Sequence, residues 1–200
     1  MAGGGGVAIL TRAGETIHAG TPLSLAEYLD LPEETRAEIV DGVVRPMSRE
    51  RRINREVRSR LSLALRGLAP PGARVIEDEP IVLGVDPAWT RIPDVSVLRP
   101  DPVDDGSTNN SPVSQLLLAV EVVSPTTRSA DLREKPVEYG MTGVPAYWTV
   151  DLIDGITVTV HRLDDGVHVP AGTFGRGERV ADPALPWATV EVTPLLGYYA

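Results

Sequence analysis

Two hundred residues are enough for one domain with a sizeable core. Hydrophobic residues make up 42% and charged residues 24%, an ordinary globular balance, and the absence of cysteine excludes a disulfide framework and any thiolate-held metal. The net charge of −9 argues against indiscriminate polyanion binding, although a local basic face can coexist with it, and no apolar run is long enough to span a membrane.

The opening "MAGGGGVAIL" has neither a basic region nor a long apolar core, so it is not read as a secretory signal. Residues 1–20 are expected to be a flexible leader before a single domain over 21–200, and the lack of cysteine suits the cytoplasm. Ser24 and Glu27 form a capping box that predicts a short helix. "AEIVDGVVRPM" predicts two short strands turning at Asp41-Gly42. A helix is predicted from about 49 to 68, where Ile53, Val57, Leu61, Ala64 and Leu68 recur at helical spacing; Gly67 and Pro70-Pro71 end it. "ARVIEDEPIVL" reads as strand, break, strand, and "IPDVSVL" as a further strand; residues 99–114 read as a polar loop. "QLLLAVEVVS" is apolar almost throughout, as for a strand covered on both faces. A helix near 128–142 is disturbed by Pro136, strands follow at "AYWTVDL" and "ITVTVHRL" around Asp154-Gly155, and short strands and turns fill the end. This order predicts an α/β (α+β) fold: a mixed central sheet flanked by helices, with an N-terminal helix and hairpin.

The chemistry concentrates in "IPDVSVL" and "AVEVVS", which set Asp94 and Glu121 inside apolar strands. A carboxylate there is costly unless paired or metal-bound. Were the two strands adjacent, the paired charges would suit an oxygen-binding divalent cation, Mg²⁺ or Mn²⁺. On spacing alone the alternative stands beside it: Asp94 starts a strand and Glu121 pairs with an arginine. Fourteen residues after Glu121 comes Lys135, the one lysine among nineteen basic residues.

These pieces, "EIVDG", "PDVSV", "EVVSPTT", Asp131, Lys135 with Tyr139, then "GV" and "YWTVD", resemble, in this order over residues 21–165, the Uma-two family of putative restriction endonucleases, long described as a domain of unknown function, within the PD-(D/E)XK nuclease superfamily. The superfamily sets a lysine two residues after the second acid, and Val123 stands there here. The resemblance implies that the lysine has moved to the following helix as Lys135. An ammonium, unlike a guanidinium fork, is compact and adjustable in pKa. It further implies a restriction-endonuclease-like core and a Mg²⁺-dependent hydrolase acting on phosphodiesters, most of all in DNA. Asp94 and Glu121, helped by the Val122 carbonyl, would hold the metal; Lys135 would stabilise the attacking group or the phosphate; Glu38 would hold a water or orient the lysine. Asp131 reads more simply as a loop or helix cap. The family's early helix histidine falls at Asn54 in this chain.

Arg51, Arg55 and Arg58 share one face of the long helix and could follow a phosphate backbone, or merely form a solvated basic face. His18, His161 and His168 have no metal-ligand spacing and read as surface residues. Ser124, Thr126 and Thr127 read as a turn, not as nucleophiles. "PLLGYYA" could pack in the core or in a homodimer interface. Two other readings compete: a nuclease fold that has lost catalysis and serves in binding or assembly, and a metal-dependent hydrolase of a small phosphodiester, which suits the acidic charge.

Overall fold

The computed structural model of the protein describes residues 8–12, 15–32, 37–48, 50–101 and 107–200. Strands β1 (Ala8–Arg12) and β2 (Glu15–His18) pair antiparallel within the stretch expected as a leader; the glycine run at 3–6 lies outside the described residues. Ile17 is buried in one cluster with Tyr28, Leu31 and Ile39, which seats β2 on a core. Helix α1 (Leu25–Leu29) carries the capping box: Ser24 Oγ accepts from the Glu27 N–H at 3.3 Å, and Glu27 Oε2 accepts from the Ser24 N–H at 2.8 Å. Strands β3 (Ala37–Val40) and β4 (Val43–Pro46) turn at Asp41 and Gly42, whose φ of +53° and +73° supply the left-handed pair that a two-residue hairpin requires.

Helix α2 spans Arg52–Leu68, and Arg51 before it is extended. It ends as expected: Ala69 precedes Pro70 and adopts ψ 144°, because proline disfavours helical geometry in the residue before it. Then come β5 (Arg74–Glu77), β6 (Ile81–Val85), β7 (Ala88–Arg91), β8 (Val95–Leu98), β9 (Ser111–Pro112) and β10 (Leu116–Val122). The helix expected at 128–142 is split. Residues Ala130–Glu134 form a wide π turn, in which the Lys135 N–H bonds to the Ala130 carbonyl, and α3 runs over Lys135–Met141. Pro136 has no N–H and its ring would clash with the carbonyl four residues back, so the ladder widens just before it. Strands β11 (Ala146–Asp151), β12 (Thr157–Asp164) and β13 (Val167–Phe174) complete the sheet. At eight residues, β13 is longer than the short strands expected there. It returns from β12 through Asp165-Gly166, φ +47° and +77°, the same turn chemistry as at 41–42.

Among the described residues two larger sheets form. One has the order β13-β12-β11-β10-β8-β5, with β10 and β11 parallel and its other neighbours antiparallel. The second has the order β4-β3-β7-β6-β9. α2 covers one face of the first sheet, packing Val57, Leu61 and Leu65 with Val95, Val97, Val120 and Trp148; Val180 to Leu196 closes the same core. On the other face α3 packs Tyr139 in a cluster with Leu98, Ala119 and Tyr147. Cover on both sides explains why β10 is apolar throughout and why Glu121 stands out in it.

Candidate active site

Asp94 and Glu121 meet because of strand register. β8 and β10 pair antiparallel with Ser96 opposite Ala119 and Val95 opposite Val120. Asp94 immediately precedes β8 and Glu121 immediately follows Val120, so the register brings the two residues near each other. Alternation then turns Val95 and Val120 into the core under α2 and Glu121 to the face that α3 covers. The Val122 N–H donates to Asp94 Oδ2 at 2.6 Å and fixes its orientation. The Asp94 side chain is 19% exposed, so a face of it reaches the solvent; Glu121 is buried.

Lys135 arrives from the other side. The wide turn before α3 aims it inward, and its Nζ lies 2.7 Å from Glu121 Oε2, 3.0 Å from Asp131 Oδ1 and 3.9 Å from Glu38 Oε1. Asp131 is one turn back at i−4 and is itself buried, so it is more than a surface cap. Burial alone would depress the Lys135 ammonium, but Glu121, Glu38 and Asp131 together hold it well above the usual lysine range. Burial pushes Asp94 up to about 7; Glu50 and Asp131 push the same way, while the Val122 N–H and Lys135 oppose. Burial, with Asp131 and Asp94 nearby, also raises Glu121 well above the carboxylate range despite Lys135. The charge state that decides the site's chemistry is that of Lys135: three carboxylates keep it protonated.

Glu38 comes from β3 of the second sheet. Its Oε1 accepts the Ile92 N–H at 3.1 Å and its Oε2 accepts from Arg91 Nη1 at 2.7 Å. Burial acts to raise Glu38, but Lys135 and Arg91 outweigh it and lower its pKa. Arg91 is buried and grips Glu138 of α3 with two hydrogen bonds of 2.5 Å. An ionic chain therefore runs from Lys135 through Glu38 and Arg91 to Glu138, back on the helix that carries Lys135. Sequence reasoning passed over Arg91 and Glu138. The available sign was an arginine set between "AWT" and "IPD", where the strand pattern asks for an apolar or small residue.

The long helix supplies a further wall. Asn54 is buried and donates from Nδ2 to the carbonyls of Val122 at 3.3 Å and Val123 at 3.4 Å, which fixes the end of β10. Val123 is buried. Arg51 and Arg55 are exposed. Arg58 departs from the exposed basic face expected of it. It is buried, with Nη1 2.9 Å from Asp78 and 3.2 Å from Glu50, Nε 3.2 Å from Glu77, and Asp94 at 4.0 Å. A guanidinium enclosed by four carboxylates has no face left for a phosphate backbone.

His161 and His168 also depart from expectation: both are buried, their rings 5.1 and 5.8 Å from that of Tyr147. His161 Nε2 pairs with Thr149 Oγ1 at 3.1 Å and His168 Nε2 with the Val144 carbonyl at 3.0 Å. Their pattern, at alternate positions facing the core from β12 and β13, is that of packing residues. His18 is exposed. Ser124 Oγ lies 2.9 Å from both Thr126 Oγ1 and Thr127 Oγ1, the hydroxyl network of a turn.

Together these groups line a cleft of about 280 Å³ between the two sheets. Asp94, Glu121, Asp131, Lys135, Glu38 and Glu50 form its floor and walls, and Arg45, Ser48 and Thr126 its mouth. Such a cleft joins hard oxygen donors to one buried ammonium, which suits cation binding and the stabilisation of an oxyanion.

The model of the Uma2 family, whose description is "Putative restriction endonuclease", matches residues 25–193. The chain belongs to the Uma2 family. Among solved structures, it is similar to a crystal structure of a putative nuclease belonging to DUF820 from Anabaena variabilis ATCC 29413. The TM-score is 0.69 and the identity 19%, over 90% of this chain and 100% of that one. The likeness establishes a shared α+β fold. A search of curated proteins returned no match. No helix among the described residues of this Uma2 protein is long and apolar enough to cross a membrane.

Proposed function

We propose that this Uma2 protein is a Mg²⁺- or Mn²⁺-dependent endonuclease that hydrolyses phosphodiester bonds, with DNA as substrate. One observation carries the reading: the chain's single lysine lies with its Nζ 2.7 Å from Glu121, in a cleft that Asp94 also lines. The family's description as restriction endonucleases and that of the similar Anabaena variabilis protein as a nuclease support the reaction class.

The donor set fits a hard divalent cation. Asp94 and Glu121 lie at the ends of neighbouring strands, and burial raises both, with Glu50 and Asp131 adding to it at Asp94 and Asp131 and Asp94 at Glu121; a cation there would offset that negative charge. Among the described residues no group of three or more His, Cys, Asp and Glu side chains is arranged as a metal site. Two carboxylates and the Val122 carbonyl nonetheless suit Mg²⁺, which keeps several waters and takes further oxygens from a phosphate. Bound there, the cation would supply Lewis acidity toward a phosphate oxygen and acidify a water.

The chain's own groups do the rest. Asn54 holds the Val122 carbonyl in position, and the Val122 N–H holds Asp94. Lys135, kept protonated by its acidic neighbours, stabilises the charge that builds on the phosphate as the bond to the leaving 3′ oxygen breaks. Glu38, fixed by Arg91 and the Ile92 N–H, limits where that ammonium can swing. A second reading, hydrolysis of a small phosphodiester, draws on the excess of acids lining the cleft, where Glu38, Glu50, Asp94, Glu121, Asp131 and Glu134 face Arg45, Arg91 and Lys135.

The test is cleavage of supercoiled plasmid, single strands, RNA and cyclic nucleotides with Mg²⁺ or Mn²⁺. Lys135→Ala and Asp94→Ala are each expected to lower the rate by roughly 10²–10³-fold. Cleavage retained in both variants would sink the assignment. A folded wild type that binds the cation but cuts nothing in the panel would favour a binding or assembly module.

A further inference from the structure

We propose that the start of α2 and residues 197–199 form a platform for an unpaired stretch of polynucleotide beside the cleft. The connection to the cleft rests on the phosphodiesterase reading; the platform itself does not.

The chain reaches α2 by a packed route. After Val192 it runs as a 3-10 segment, Thr193–Tyr199, whose Leu195 and Leu196 are buried in the core that α2 covers. Gly197 then turns it with φ +54° and ψ −120°. A Cβ at Gly197 would lie 2.0 Å from Arg60 Nε and 2.2 Å from Glu56 Oε1, so the backbone runs against these two α2 side chains, in a positive-φ conformation that favours glycine. The next two residues are thereby held beside the helix. Tyr198 and Tyr199 stack edge to face, with ring centroids 5.5 Å apart and planes at 90°. Tyr198 is nevertheless 88% exposed, which leaves a ring face open.

Charge selects the occupant. The tyrosines border a shallow pocket with Arg52, Arg55, Glu56 and Ser59. Arg51, Arg52 and Arg55 are all exposed, and Glu56 is engaged by Arg60 at 2.6 Å. On a chain of net charge −9, this is a cationic spot next to open aromatic surface. Arginines that reach phosphates beside a ring that stacks a base are what a single strand needs. A duplex keeps its bases in the stack and can offer only its phosphates. Glu50 and Asn54 line the cleft and Arg52, Arg55 and Ser59 the platform, so the two sites lie on different faces around the start of α2.

The experiment measures fluorescence anisotropy of a labelled oligothymidine of about twelve nucleotides, within the span of such sites. It is done in EDTA, so that binding is read without cleavage. Tyr198→Ala is expected to weaken binding by at least about fivefold, and Tyr198→Phe to restore it, since stacking needs the ring and not the hydroxyl. Arg52→Ala and Arg55→Ala should each weaken binding and reduce the salt dependence by about one counterion. A matched duplex should bind more weakly and ignore Tyr198→Ala. The proposal is overturned if wild type does not bind the oligothymidine at low salt, or if Tyr198→Ala binds as wild type does. It is likewise overturned if sedimentation shows the tyrosine variants altering self-association with affinity unchanged, which would assign the rings to an interface between copies. Tyrosine-dependent binding by a protein that cuts no nucleic acid would leave the platform standing and remove the nuclease reading alone.

Discussion

At the residue scale the molecule is organised around buried charge that is paired and hydrogen-bonded. Arg91 shows the consequence most directly. Its guanidinium, 2% exposed, is shared between Glu38 at 2.7 Å and Glu138 at 2.5 Å. Arg91→Met would leave two buried carboxylates facing each other without their cation, a change that costs about 3–5 kcal/mol when one partner of a buried pair is removed. Urea unfolding should show that loss, and Glu138→Gln added to Arg91→Met should recover part of it, because one of the stranded charges is then gone. A double variant no more stable than Arg91→Met would mean that Glu138 is not the stranded partner. Lys135 was legible in the sequence because it is unique and follows the acid-bearing strand at a family spacing. Arg91 and Glu138 were not, since their meaning depends on β7 and α3 being neighbours, and neither strand propensity nor helical periodicity encodes which elements touch. Arg58 misled for the same reason: its helical face was readable, but the wall of acids from β5 and the loops that encloses that face was not.

At the element scale, α3 is the piece that delivers Lys135, and its seat is set by a glycine. Gly140 faces the turn between β12 and β13, where a Cβ would lie 2.4 Å from the Gly166 carbonyl oxygen and 2.7 Å from Val167 Cα. Helix propensity favours alanine over glycine by about 1 kcal/mol, so by local preference Gly140→Ala should stabilise. Backbone atoms cannot swing aside as side chains do, so the steric effect wins and α3 must lift. We expect Gly140→Ala to be destabilising by about 1–3 kcal/mol, the usual cost of overpacking, and to lower cleavage as Lys135 is drawn back from Glu121. A thermal midpoint at or above wild type would show that the turn yields instead. The elements around this seat differ in how well they could be read. Asp-Gly pairs announced the turns at 41–42 and 154–155, and β10 was plain from its apolar run. The π turn before Pro136 was foreseen only as a disturbance, because proline says that the ladder fails but not how the chain accommodates it. The pairing of β1 with β2 lay in a stretch whose glycines dominate its composition.

At the scale of the whole molecule, the cleft exists because two sheets meet: one brings Asp94 and Glu121, the other Glu38 and Arg91. The meeting concentrates negative charge that the fold must tolerate, and this links stability, pH and cation binding. Asp94 rises to about 7 in the folded protein from an ordinary value of 3.8. The folded state therefore holds this proton more tightly than the unfolded one. By linkage, the proton contributes stability that is complete below about 3.8 and is lost as pH climbs through about 7. A cation at Asp94 and Glu121 competes with that proton. Its stabilising effect should be full at pH 8, and below pH 7 its apparent affinity should fall about tenfold per pH unit through Asp94 alone. The measurement is the thermal midpoint of cation-stripped protein, with and without millimolar Mg²⁺ or Mn²⁺, at pH 8 and pH 5.5. We expect an upward shift at pH 8 that nearly vanishes at pH 5.5. Asp94→Asn keeps an acceptor for the Val122 N–H and carries no charge. It should therefore melt higher than metal-free wild type at pH 8, by a smaller margin at pH 5.5 because the unfolded Asp94 is still ionised there, and lose the response to the cation at both. An equal cation response at the two pH values, or one that survives in Asp94→Asn, would put the cation away from this pair. A stabilising loss of Asp94, coupled to loss of cation response, would instead mean that the fold tolerates a destabilising carboxylate because the cation's chemistry requires it.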